Sequence, residues 1–288
     1  MAYVNLRLHS EVLQHAVPVD LYFPHDYPED VPEIRGVFTL LHGYGGTSRD
    51  WMQLSAACRY ARDNGLILIA PDCSNGFYCD MAYGDAWYTF LTGELQERLH
   101  QIFRIPTERE KNFIAGLSMG GYGAMMIGMR NPDRYAGIAS FSGAVDQAMM
   151  MDGIRNNPAA AKPFIPIFGD DLRLTDDQEL RVLSKRISAL PAEQQPKLLF
   201  TCGSEDNEPY YIRLQNRRLC RHMSELPLAA YRYMEWTGNH EWKFWDRSLV
   251  YAIDWMVNPG YAESKLADWR SEPTVLRESS AERRGSGD

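Results

Sequence analysis

The chain has 288 residues, which fits one large α/β domain or two small ones, and its 45% hydrophobic and 12% aromatic content suffices for a sizeable core. Its formal charge of −8 argues against nucleic acid or an anionic membrane as partner, because both demand a basic face. No apolar run approaches the roughly 20 residues of a membrane span, and Met1 to Ser10, which alternates and carries Asn5, Arg7 and His9, does not read as a signal peptide.

Val4 to Leu8 alternates apolar and polar residues, and Val17, Val19, Leu21 and Phe23 follow at period two; together they predict an antiparallel hairpin. Residues 24–35 form a charged, proline-rich loop. Val37 to Leu41 is a continuous apolar run, as in a strand buried on both faces, and ends in His42-Gly43-Tyr44-Gly45-Gly46. Trp51 to Arg62 reads as a helix stopped by Asn64-Gly65. Leu66 to Ala70 is a second buried strand, followed by an aromatic loop over residues 73–84. Asp85 to Phe103 is a long amphipathic helix with Trp87, Phe90, Leu91, Leu95 and Leu99 inward. Asn112 to Ala115 is a short strand that runs into Gly116-Leu117-Ser118-Met119-Gly120-Gly121 and a helical pattern through Met129. Tyr135 to Phe141 is the next strand. Residues 144–182, with Met149-Met150-Met151 and several prolines, read as an insertion over the C-terminal edge of the sheet. The alternation resumes with Lys197 to Thr201 (strand), Pro209 to Met223 (helix), Leu228 to Glu235 (strand) and Trp242 to Met256 (helix).

Strands alternating with helices predict an α/β fold: a mostly parallel central sheet covered by helices on both faces, with the N-terminal hairpin as an antiparallel edge. The domain is expected over residues 1–262, and residues 263–288 as a disordered tail. The five cysteines (Cys58, Cys73, Cys79, Cys202 and Cys220) contain no C-x-x-C pair, which argues against zinc. Cys73 and Cys79 lie near enough in sequence to meet in a loop, but free thiols in a reducing cytoplasm are the expectation.

The G-x-S-x-G at residues 116–120 sits at a strand-to-helix joint. Read as structure alone, it is a glycine-rich turn with a serine N-cap. Read as chemistry, the turn lifts Ser118 clear of the sheet over a helix N-terminus as a nucleophile. Such a serine needs a base, and the base needs an orienting carboxylate. Of the two histidines after Ser118, His222 lies within a helical pattern among arginines and reads as a surface residue, whereas His240 lies in a loop just past a strand, where a base belongs. The acid is expected after Gly203; Glu205 and Asp206 both qualify, Asp206 is preferred, and Asp146 is a weaker choice. Two N–H donors must hold the oxyanion: Met119 at the start of the helix, and Tyr44 in the glycine-rich loop. His42 is expected to fix that loop rather than act as base. Phe77, Tyr78, Tyr83, Trp87 and Trp242 are candidates for lining the substrate pocket, and Trp87 and Trp242 serve equally as core.

The strings LLHGYGGTSRDW, FIAGLSMGGYGAM, FSGA, CGSEDNEPY and TGNHEWKFWD, in this order, resemble the esterase D-like branch of the α/β-hydrolases, over roughly residues 3–257 and most nearly its bacterial tributyrin esterases. The resemblance implies an α/β-hydrolase fold and a cytoplasmic serine carboxylesterase for short-chain acyl esters that needs no metal or cofactor. It also implies Ser118, Asp206 and His240 as the triad and Tyr44 and Met119 as oxyanion donors. The branch includes feruloyl and acetyl-xylan esterases, mycolyltransferases and S-formylglutathione hydrolases; a cysteine typical of the last is missing from Gly43-Tyr44-Gly45-Gly46. An acyltransferase or a non-catalytic binding protein on the same fold are the readings from other classes. The expected partner is a small ester, with association into a homo-oligomer compatible with the chain.

Overall fold

The computed structural model describes residues 2–24, 33–267 and 273–278. Nine strands form one sheet: β1 (Ala2–His9), β2 (Ala16–Phe23), β3 (Gly36–Leu41), β4 (Leu66–Pro71), β5 (Asn112–Leu117), β6 (Gly137–Phe141), β7 (Lys197–Gly203), β8 (Tyr231–Trp236) and β9 (Thr274–Glu278). Their order is β1-β2-β4-β3-β5-β6-β7-β8-β9. β4, β3 and β5 through β8 pair in parallel, while β1, β2 and β9 are antiparallel at the margins.

The continuous apolar strands divide their side chains between two cores. Val37, Ile67, Ile114, Ile138 and Leu198 face one side, packed under the helices Leu95–Phe103, Met119–Arg130, Leu180–Ser188 and Ile212–Met223. Their neighbours Phe38, Leu68, Ala115, Ala139 and Leu199 face the other, under Ala57–Asn64 and Trp242–Met256. Burial on both faces explains why these strands carry no polar alternation.

Three expectations are corrected. The helix read over Trp51 to Arg62 is two helices, Asp50–Leu54 and Ala57–Asn64. The break has a polar cause: the Ser55 hydroxyl donates to the Trp51 carbonyl and accepts the Ala57 N–H, and Asp246 on the last long helix accepts the Ala56 N–H at 2.6 Å. The second helix runs through Asn64 and stops at Gly65 (φ +63°), as expected. The helix read from Pro209 begins at Ile212, because Tyr211 (φ +53°) adopts a left-handed conformation. The disordered tail expected from residue 263 contains a short helix, Tyr261–Lys265, straddling its start and the strand β9, whose Thr274 and Val275 pair with Glu235 and Met234 of β8. Val275 and Leu276 are exposed, so β9 contributes backbone hydrogen bonds to an open sheet edge without an apolar pattern to announce it. Residues 279–288, and residues 25–32 of the expected proline-rich loop, lie outside the described residues.

The stretch at 144–182 contains short helices at Gln147–Ile154, Pro158–Ala161 and Ile165–Phe168. Of the methionine run, Met151 is core and Met149 and Met150 are half-buried.

Candidate active site

Ser118 sits between the end of β5 and the helix Met119–Arg130 with φ +54° and ψ −117°. A non-glycine residue held there is strained by on the order of 1–3 kcal/mol, so the surroundings must enforce it. They do: the Ser118 N–H donates to the Phe141 carbonyl, and its own carbonyl accepts from Gly121, Tyr122 and Ala144. Gly116 and Gly120 face each other so closely that a Cβ on either would collide with backbone, on Gly120 with the carbonyls of Leu41 and His42. The flanking glycines of the motif are thus a packing requirement of the turn.

The structure brings Ser118, His240 and Asp206 together, although β6, β7, β8 and six α-helices lie between Ser118 and His240 in sequence. His240 Nε2 lies 2.9 Å from Ser118 Oγ, and His240 Nδ1 lies 2.8 Å from Asp206 Oδ2. An ionised carboxylate only accepts, so Nδ1 carries the proton and Nε2 is left to receive the serine's. Asp206 is buried, whereas Glu205 beside it is exposed. Asp146, the weaker choice, is committed elsewhere: it caps the helix Gln147–Ile154 and pairs with Arg181 at 3.0 Å and Arg218 at 2.7 Å. The His222 ring contacts the Arg181 carbonyl, at 3.4 Å.

The loops bearing acid and base are tied to one another. Ser204 N–H donates to Trp236 O and Glu205 N–H to Gly238 O. Gly203 and Gly238 make this crossing feasible, since a Cβ on Gly203 would strike the Gly238 backbone. Behind the acid, Arg213 N–H donates to Asp206 O at 2.8 Å.

On the other side of Ser118, Gly43 packs so that a Cβ there would be 3.5 Å from the Ser118 Cβ. The loop it opens is held by His42, which is buried: Nδ1 donates to Gly43 O at 2.8 Å, and Nε2 accepts the Cys73 N–H at 3.1 Å. Both ring nitrogens are thereby engaged, so His42 braces the loop as expected. Asn75 accepts the Gly45 N–H at 2.6 Å. Met119 opens its helix, so its N–H has no intrahelical acceptor. The Tyr44 loop thus packs against Ser118 through Gly43, and Met119 follows Ser118 directly in the chain.

The pocket candidates separate. Tyr83 is exposed and donates to Asp170, whose carboxylate pushes the phenol pKa up. Trp87 is core, edge-on to Phe90. Trp242 is half-buried and stands edge-on between Trp51 and Trp245. Trp245, which sequence reasoning missed, packs edge-on against the His240 ring at 5.0 Å. Its position five after His240, one turn into the helix Trp242–Met256, was the available signal. Phe77, also a pocket candidate, is buried and serves as a hub: its ring contacts Tyr44, Tyr122, Phe164 and Phe168, joining the Tyr44 loop to the 144–182 stretch. All five cysteines are free, and burial pushes Cys79 up to about 12 and Cys73 well up, so neither thiol is ionised near neutrality.

A hydroxyl, an imidazole hydrogen-bonded to it and a buried carboxylate behind that imidazole are the parts that nucleophilic attack on a carbonyl requires. Comparison with known proteins agrees with that chemistry. The family model described as "Putative esterase" matches residues 10–256. An acetyl esterase of Caldicellulosiruptor saccharolyticus is 28% identical over 268 residues, spanning 89% of this chain and 98% of that protein. The solved structure of FphF, a fluorophosphonate-binding serine hydrolase of Staphylococcus aureus, is similar with a TM-score of 0.76 and 27% identity, covering 89% of this chain and 98% of that one. An S-formylglutathione hydrolase from the same organism is similar with a TM-score of 0.74 and 27% identity, covering 89% and 99%. The architecture is the α/β-hydrolase fold.

Proposed function

The chain belongs to the esterase family whose model it matches over residues 10–256 and is a carboxylic ester hydrolase; from that premise we propose that it cleaves short-chain acyl esters with Ser118, His240 and Asp206 as its catalytic triad. The observation that carries the reading is the hydrogen-bonded chain from Ser118 Oγ through His240 to buried Asp206. His240 Nε2 takes the Ser118 proton as Oγ bonds to the ester carbonyl carbon. The N–H groups of Met119 and Tyr44 hold the oxyanion, and losing one such donor costs on the order of 3 kcal/mol. The C–O bond to the alcohol breaks, and the alcohol leaves with the proton from His240. Water then gives a proton to His240 and its oxygen to the acyl carbon, and collapse frees the acid and returns the proton to Ser118. Asp206 holds the imidazole tautomer and stabilises its cation throughout.

The acetyl esterase relative supports a small acyl group, as does the resemblance to tributyrin esterases. The buried free thiols suit a reducing compartment such as the cytoplasm. Among the described residues no helix is long and apolar enough to cross a membrane. The S-formylglutathione hydrolase neighbour supports a thioester as second reading; the lack of a cysteine in Gly43-Tyr44-Gly45-Gly46 favours oxygen esters.

Ser118→Ala should lower turnover of p-nitrophenyl acetate or butyrate by about 10⁶-fold and abolish labelling by a fluorophosphonate probe. Substantial remaining turnover would remove Ser118 from the reaction. A kcat/KM for S-formylglutathione far above that for either ester would select the second reading.

A further inference from the structure

We infer that Tyr210 walls a leaving-group site for alcohols that carry an aromatic ring, and so sets which esters of a given acid are cleaved fastest. The inference rests on the proposed triad. In that chemistry His240 Nε2 must protonate the departing oxygen, which therefore lies about 3 Å from it whatever the acyl group. The alcohol is thus found beside His240, and the surroundings of that ring decide what the alcohol can touch.

Besides Ser118, three side chains among the described residues border the imidazole. Asp206 takes the Nδ1 side and is buried. Trp245, 5.0 Å away and perpendicular, is buried in the core. Tyr210 lies with its ring centroid 6.3 Å from the imidazole, inclined at 50°, and is 63% exposed. Of the two aromatic rings next to the base, Tyr210 is therefore the one still open to a ligand. Its distance falls within the range at which aromatic rings attract each other, so a third ring placed beside His240 would meet it directly.

Tyr210 is also held in place. Its carbonyl accepts from the Nε2 of Gln215 at 2.8 Å, and Gln215 is fully buried, its Oε1 in turn accepting the Asp146 N–H at 3.1 Å. On one side of it the carbonyl of Asp206 accepts from Arg213, and on the other Tyr211 closes the turn into the helix Ile212–Met223. A large ring exposed to water on a backbone this well anchored loses little freedom when a ligand covers it. The fold gains nothing from its exposure, and a bound aryl group would.

Benzyl acetate and ethyl acetate test this, because they share one acyl-enzyme and therefore one deacylation step. Tyr210→Ala should lower the benzyl-to-ethyl ratio of kcat/KM about three- to tenfold, the range expected for one aromatic contact. It should weaken competitive inhibition by benzyl alcohol by a similar factor. Tyr210→Phe, which keeps the ring, should retain the benzyl preference. A ratio that does not change in Tyr210→Ala, or that falls equally in Tyr210→Phe, overturns the site. Fluorophosphonate labelling of the wild type keeps the two readings apart: no adduct on Ser118 overturns the triad, whereas an adduct with an unaltered ratio overturns only the role of Tyr210.

Discussion

Two neighbouring carboxylates, Glu205 and Asp206, have the same chemistry and opposite fates. Asp206 is drawn inward because its carbonyl is pinned by Arg213 and its carboxylate meets His240 Nδ1, while Glu205 points to water. An asparagine at 206 could offer its amide N–H to Nδ1, which drives the imidazole proton to Nε2 and leaves no base for Ser118. Asp206→Asn should therefore lower kcat by about 10⁴-fold, the cost of the wrong tautomer in serine hydrolases, while Glu205→Gln should change it by no more than a few-fold. Steady-state kinetics on one activated ester decide it; the reverse ranking would move the acid by one residue. The residues of this site were legible where chemistry constrains order: a serine in a glycine-flanked turn, then an acid, then a histidine, each just past a strand. The residues around them were not. Trp245 and Tyr210 meet His240 through ring contacts that depend on how a helix and a loop converge in space, and beyond the place of Trp245 one turn into its helix no local spacing marks them. Trp242, equally readable as pocket or core, lies in an aromatic stack leading from Trp245 to Trp51.

At the scale of elements, periodicity located strands and helices well and their ends less well. The helix Trp242–Met256 has the limits its pattern implies, because an amphipathic face runs its whole length. The missed break at Ser55 and Ala56 came from Asp246, 190 residues away in sequence, which no local pattern contains. Strand β9 was missed because pairing alone holds it to the sheet. Glycines carry a different kind of element-level information: they mark where two segments touch. Gly203 ends β7 against Gly238, between the loops of acid and base. Gly203→Ala must push those loops apart by backbone, not by a yielding side chain. Overpacking of this sort costs about 1–3 kcal/mol, or a drop in Tm of roughly 2–12 °C for a large domain. Since Asp206 and His240 ride on the displaced loops, kcat should fall more than tenfold as well. Gly153, in the helix Gln147–Ile154 with open space where its Cβ would be, is the control: Gly153→Ala should hold or raise Tm. Equal behaviour of the two variants in a thermal melt and an ester assay would deny the crossing its importance.

Across the whole molecule, the sheet order was predictable in class because buried strands and intervening helices leave few ways to wind a parallel sheet. What the pattern could not convey is which polar ties lock distant segments, and these govern the response to acid. Glu94 accepts from the N–H groups of Glu11 and Val12, fastening the β1–β2 hairpin to the helical segment that follows Trp87. Glu235 on β8 is buried and takes Arg217 at 2.7 Å and Arg213 at 3.1 Å, with the Tyr233 hydroxyl also donating to it. Burial works to raise the Glu235 carboxyl, and the hydrogen bonds from Arg217, Tyr233 and Arg213 outweigh it and hold the pKa below the ordinary 4.5. At Glu94 the same contest between burial and the bonds from Ser10, Glu11 and Val12 ends the same way. A carboxyl whose pKa is lower folded than unfolded binds more protons when unfolded, so stability rises with pH through that window. Its contribution is complete above about pH 4.5 and is lost as the pH falls through the folded value. Removing the charge by Glu235→Gln leaves Arg213 and Arg217 without their carboxylate. The arginines are partly solvated, so the cost lies between the ~1 kcal/mol of an exposed pair and the ~3–5 kcal/mol of a buried one. At about 2 kcal/mol, Tm at pH 7 should drop by roughly 4–8 °C. As the pH is lowered from above the ordinary 4.5 through the lower folded value, the wild-type Glu235 becomes protonated too, and the gap between the two proteins should close. Melting curves collected across that range carry the decision: a gap that stays constant would mean that the charge on Glu235 contributes nothing, and that the variant is weakened by altered packing alone.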